Sequence, residues 1–129
     1  MNTSDVLNTA ADLLEERGWT QVQGWGWEKG LSNLCLEGGI LIASGIDMHT
    51  TTVFRDLNTC PAATAVREYL TLEPMDPNWH SGDPRETGPL WCWNDAIGRT
   101  AEQVIATLRA TALMVAARES ADELTEVSA

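Results

Sequence analysis

Residues 100–118 read TAEQVIATLRATALMVAAR, and this stretch decides the fold. Ala101, Val104, Ile105, Leu108, Ala112, Val115 and Ala116 recur with helical period and form one apolar stripe about 100° wide. Thr100 and Gln103 stand at the spacing of a capping box, in which hydroxyl and amide side chains satisfy two helix-end N–H groups reciprocally. The spacing predicts a helix over 101–118, about 27 Å long at about 1.5 Å per residue. Each fully buried Val, Ile or Leu contributes about 1.5–3 kcal/mol, so this helix is expected to be the spine of the core. Leu113 and Met114 fall outside the stripe and read as rim contacts or as a homodimer interface. The acidic residues 119–129 are expected to fray as a tail. Residues 1–118 are then one globular domain.

Just upstream, residues 90–100 read LWCWNDAIGRT. In the structural reading, Asn94 or Asp95 accepts backbone N–H groups in a tight turn and Gly98 supplies the positive φ that closes it. Arg99, four residues after Asp95, pairs with it across the turn. Trp91 and Trp93 alternate with Cys92 and share one face if the segment is extended. In the functional reading, the helix N-terminus beside Arg99 forms an anion site and the two indoles a wall for a planar or cationic group. Asp95 opposes an anion there, and the structural reading is preferred.

Working outward, residues 4–17 form an amphipathic helix with Val6, Leu7, Ala10, Leu13 and Leu14 on one stripe. Thr3 or Ser4 is the expected cap and Gly18 the left-handed stop. Residues 18–30, rich in Gly and Trp, read as a loop with a short extended piece near 20–23. Residues 33–46 are apolar and fit either a buried helix or a pair of strands. A further helix opens at Thr59 or Cys60 with Pro61 in its first turn, and Ala62, Val66, Tyr69 and Leu70 share a face. Residues 73–90, with four prolines, read as a long irregular loop. The sum is a mainly α, compact single-domain bundle of three or four helices with long Trp/Gly- and Pro-rich loops.

Composition narrows function. The 129 residues are 43% hydrophobic, ordinary for one globular domain. No apolar run approaches the ~20 residues of a membrane span, and no leader pattern opens the chain. Cys35, Cys60 and Cys92 are an odd set without metal-knuckle spacing, which suits thiols in a reducing cytoplasm. The net charge is -11, with nineteen acidic against eight basic residues. That field repels nucleic acid and anionic membranes. Asp47 with His49, and Asp76, His80 and Asp83, carry metal-binding side chains at spacings that match no helix-borne motif. Cys60, at a helix start, is read as a buried inert thiol rather than a reactive one. No GxSxG, P-loop, GxGxxG or HExxH pattern occurs. No catalytic residue, metal ligand or cofactor is assigned.

Three pieces, residues 11–19 (ADLLEERGW), 34–40 (LCLEGGI) and 93–108 (WNDAIGRTAEQVIATL), together resemble a family of short uncharacterised proteins of actinobacteria and their phages. The Trp-Asn-Asp…Gly-Arg-Thr motif is the most specific of them. Glu37 and Gly39 depart from the family's apolar or small residues, and the segment between 43 and 92 is longer. The resemblance implies an actinobacterial or phage origin, a cytoplasmic address and an α-rich fold. It implies no activity.

The leading functional expectation is a non-catalytic interaction module that presents aromatic and acidic surface to a protein partner. If phage-borne, it would act on a host protein. Trp25, Trp27, Trp91, Trp93, Asn94, Asp95 and Arg99 are the candidate contact residues. One alternative is a small-ligand pocket, or an enzyme, built from the Trp-rich loops and the N-terminus of the last helix. Another is a DNA mimic that displays rows of carboxylates to a basic protein.

Overall fold

A computed structural model describes residues 1–21, 33–46, 59–72 and 89–128. Helices α1 (Thr3–Arg17), α2 (Leu36–Ser44), α3 (Pro61–Leu70), α4 (Pro89–Asn94) and α5 (Ala101–Ser128) make up most of them. The described residues contain no strand, only an isolated parallel bridge between Trp19 and Leu34. The mainly α expectation holds, with five helices among the described residues.

α1 buries Leu7, Ala10, Ala11 and Leu14. Its cap is Asn2, not Thr3 or Ser4: Asn2 Oδ1 accepts from Asp5 N at 2.9 Å and from the Ser4 hydroxyl at 2.9 Å. The helix ends at Gly18, whose φ is +91° and whose ψ of 153° is extended rather than helical. That angle turns the chain into the bridge, where Leu34 N donates to Gly18 O at 2.8 Å and Thr20 N to Leu34 O at 3.0 Å.

The ambiguous apolar run becomes a helix. Cys35 caps α2 by accepting Gly38 N on Sγ at 3.3 Å. Gly45 closes it in the left-handed conformation, with Gly45 N on Ile42 O and Ile46 N on Leu41 O. This paired closure satisfies the last carbonyls. Gly39 faces α1, where a Cβ would stand in ordinary van der Waals contact, 3.4 Å from Leu14 Cδ2 and 3.5 Å from Ala10 O.

α3 starts at Pro61 after Cys60, as its sequence predicts. Ala62, Ala63, Ala65 and Val66 are buried. Tyr69 is 43% exposed and leaves the face expected to hold it. The same paired closure ends α3, with Thr71 rather than glycine in the left-handed position at φ +56°.

α4 forms here, so the extended arrangement in which Trp91 and Trp93 would share a face is not the one adopted. Two residues apart on a helix point about 200° apart, so Trp91 and Trp93 do not share a face. Trp91 is buried and Trp93 half-buried.

α5 is capped as predicted: Gln103 N donates to Thr100 Oγ1 at 3.2 Å and Thr100 N to Gln103 Oε1 at 3.0 Å. Val104, Leu108, Ala112 and Val115 are buried, together with Thr111, whose hydroxyl donates to Thr107 O at 2.7 Å. Ala101, Ile105 and Ala116 flank them, half-buried. The helix runs on to Ser128, through the acidic residues expected to fray. α1 lies antiparallel along it. Ser4 N meets Glu119 Oε1 at 3.3 Å near one end, and Arg109 clasps Asn8, Asp12 (2.6 Å) and Glu15 (3.3 Å) further along. α3 packs on α1, α2 and α5. The core lies among α1, α2, α3 and α5, and α4 closes it against α2.

Candidate functional site

Asn94, the last residue of α4, is 1% exposed and ties three segments together. Its Oδ1 accepts from Trp19 Nε1 at 2.6 Å and from Leu36 N, the first amide of α2, at 3.0 Å. Its Nδ2 donates to Thr20 O at 3.2 Å and to Asp95 Oδ1 at 3.0 Å. Both lone-pair directions and both N–H groups of the carboxamide are therefore used. Gln21 Nε2 reinforces the join by donating to Asn94 O at 2.9 Å and to Ala96 O at 3.0 Å. Asn94 thus sets the turn and also locks the α1 exit and the start of α2.

Above this hub the chain makes a rigid knuckle. Asp95 N donates to Trp91 O, and Arg99 N to Ala96 O at 3.0 Å, with Gly98 at φ +84°. Arg99 does not close on Asp95. Its Nε donates to Trp93 O at 2.9 Å and its guanidinium carbon lies 4.0 Å from the Trp93 ring centroid. Asp95 Oδ1 is instead held by Asn94 Nδ2, and the cation is satisfied by the indole face. Ile97, at the tip, is fully exposed, and Cys92 is exposed on α4.

A second polar group lies under α2. Glu37 is 1% exposed and Arg67 of α3 is 6% exposed. Burial lowers the Arg67 pKa, and the Glu37 carboxylate is the largest influence raising it again. Arg67 Nη2 also donates to Thr64 Oγ1 at 3.0 Å. Burial first, then Glu37, pushes the Cys35 thiol far above its ordinary range, so it stays protonated and acts as a cap rather than a nucleophile.

The sequence reading picked out Trp91, Trp93, Asn94, Asp95 and Arg99, and the fold does bring them into one turn. Trp25 and Trp27 lie outside the described residues, as do Asp47, His49, Asp76, His80 and Asp83. The reading gave no site role to Trp19, Gln21, Glu37 or Arg67. Glu37 carries a signal: it is the lone charge in the apolar run 33–46. Arg67 stands beside Val66 and four residues after Ala63, on the apolar side of its helix. Nothing local marks Trp19 or Gln21, whose partners lie more than seventy residues away.

Among the described residues no group of three His, Cys, Asp or Glu side chains is placed to hold a metal ion. A pocket of about 280 Å³ opens away from the knuckle, against Val6, Ser44, Ile46 and Cys60. In it Ser44 Oγ and Cys60 Sγ lie 3.3 Å apart.

Fold and hub together define a small, mainly α protein whose helices are pinned by a buried carboxamide next to an exposed turn. The chain belongs to DUF6197, a family of unknown function, which matches residues 1–113. That span holds the entire Asn94 hub and ends inside α5. No curated protein and no solved structure matches the chain. No helix among the described residues is long and apolar enough to cross a membrane.

Proposed function

We propose that this protein is a non-catalytic interaction module and that the α4–α5 knuckle is its contact surface. The carrying observation is Ile97, at 105% relative exposure, presented on a turn pinned from below by Asn94 and Gln21. A rigid apolar tip flanked by an Arg–Trp stack resembles the anchors that dominate protein–protein contacts, because little conformational entropy is lost when they dock. Aromatic and Arg side chains are the types enriched there. The α5 N-terminus favours this reading over an anion pocket. Its capping box occupies the Gln103 amide, and Glu102 and Asp95 place carboxylates in the same region. The three free thiols fit a reducing cytoplasmic address, and the motif resemblance supports an actinobacterial or phage origin, with a host protein as the partner.

The test is affinity capture from actinobacterial lysate with the wild-type chain, Ile97→Asp and Trp93→Ala as baits. A partner retained by wild type and lost by Ile97→Asp, with the thermal midpoint of that variant unchanged, is the expected result. Equal capture by wild type and Ile97→Asp, or nothing above blank beads, rejects the proposal.

A further inference from the structure

Three helix ends meet at the pocket of about 280 Å³ on the side away from the knuckle. They are the start of α1 with Met1 and Val6, the end of α2 with Ser44 and Ile46, and the start of α3 with Cys60 and Ala62. Backbone hydrogen bonds hold each wall. Val6 N donates to Asn2 O at 3.0 Å, Ile46 N to Leu41 O at 3.0 Å and Thr64 N to Cys60 O at 2.9 Å. The pocket is therefore formed before anything enters it, and binding has little ordering to do. Among the described residues that line it, most are apolar and none has a charged side chain. The polar exception is largely buried. Cys60 is 5% exposed, and its thiol lies 3.3 Å from the Ser44 hydroxyl, either one donating to the other. Each group brings one hydrogen and its own lone pairs. One hydrogen serves the bond between them, and neither side chain makes another hydrogen bond among the described residues. One donor hydrogen and spare lone pairs are left at the wall of an apolar cavity, where an unmet polar group is costly.

We propose that this pocket binds a neutral small molecule with an apolar body and a single hydroxyl, of the alkylphenol or medium-chain alcohol class. Volume sets the size. A cavity of about 150 Å³ holds benzene, so one of about 280 Å³ admits roughly ten non-hydrogen atoms. The leftover hydrogen-bonding capacity sets the head group. A hydroxyl accepts the spare hydrogen and donates to a lone pair of Ser44 or Cys60, whereas a carbonyl meets only the donor. A carboxylate or an ammonium group would lose its hydration against walls with no charged side chain to replace it. Val6, Ile46 and Ala62 then cover the apolar body. Met1 stands at the rim, 82% exposed, and its unbranched thioether adapts to the shape that enters. The site lies apart from the knuckle, so ligand binding and partner capture stand or fall separately.

The test titrates para-ethylphenol into the isotope-labelled full chain and follows the amide resonances. Saturable shifts at Val6, Ile46, Ala62 and their neighbours are expected, with Ala96, Ile97 and Arg99 of the knuckle unmoved. Ethylbenzene, which lacks the hydroxyl, and para-ethylbenzoate, which is charged, are expected to bind at least about fivefold more weakly. Ser44→Ala removes one of the two polar partners and is expected to reduce the preference for para-ethylphenol over ethylbenzene at least about threefold. Ser44→Leu fills the pocket and is expected to abolish the shifts, with its thermal midpoint reporting that it folds; if it does not fold, Ser44→Ala decides. No saturable shift up to the solubility limit of para-ethylphenol overturns the proposal. So do shifts centred elsewhere, equal affinity for ethylbenzene, tighter binding of para-ethylbenzoate, a preference that Ser44→Ala leaves intact, or undiminished binding by a folded Ser44→Leu chain.

Discussion

Replacing Asn94 with alanine removes a side chain that is 1% exposed and holds four hydrogen bonds. The backbone of α4 persists, but Trp19 Nε1, Leu36 N and Thr20 O lose their partner. A buried polar group left unsatisfied costs about 1–3 kcal/mol. Leu36 is fully buried, so its amide bears the whole penalty; Trp19 and Thr20 are half-buried, and water meets part of theirs. The half-exposed Asp95 carboxylate is resolvated. The sum is about 3–4 kcal/mol, a large share of the roughly 5–15 kcal/mol that holds a domain together. Urea denaturation followed by far-ultraviolet circular dichroism measures it, with the denaturant slope unchanged. Asn94→Asp keeps the acceptor for Trp19 and Leu36, but it sets a second oxygen against Thr20 O and a buried charge beside Asp95. Burial and that neighbour raise the new carboxyl's pKa above its unfolded value, so the folded chain binds the proton more tightly and stability falls as pH rises. Asn94→Asp is therefore weakest near neutrality and recovers toward about pH 4, where carboxyls protonate. A loss below about 1 kcal/mol for Asn94→Ala, or the opposite pH trend for Asn94→Asp, refutes the hub.

Four further outcomes are expected. Thr71 sits at φ +56°, where a β-branched side chain is strained, so Thr71→Gly stabilises by about 1 kcal/mol in the same denaturation assay. Thr100→Ala removes the acceptor for Gln103 N and destabilises by about 1 kcal/mol. In the folded protein Cys92 reacts with a thiol reagent while Cys35 waits for unfolding, since Cys92 is exposed and Cys35 buried. Because the Cys35 pKa is raised on folding, its stabilisation is complete below the unfolded thiol's pKa of about 8.5 and is lost as pH climbs above it. Wild type therefore loses stability between about pH 8.5 and 10.5 more steeply than Cys35→Ala, read from urea midpoints at each pH.

α1, α3 and α5 were legible from their residues because the forces that start and stop a helix act within a few positions. The Thr100–Gln103 box, Pro61 in the first turn of α3 and the apolar stripes of α1 and α5 all carry their meaning locally. Tertiary structure decided the rest. Within residues 33–46 the helix 36–44 has local caps at Cys35 and Gly45, but its first amide, Leu36 N, is satisfied from 58 positions away by Asn94, a contact no window of sequence contains. α4 was not read from its own residues, because Leu90 and Trp91 bury against a core assembled from the other helices. Arg99 chose the Trp93 ring over Asp95 once α4 had turned that indole toward it. The candidate turn could be picked out from its composition, while its rigidity depends on Trp19, Thr20 and Gln21, which reach it only when the chain returns from α1. Hydrophobic period and capping are short-range and are written in consecutive residues; the satisfaction of a buried amide or charge is long-range and is settled only by which segments the core brings together.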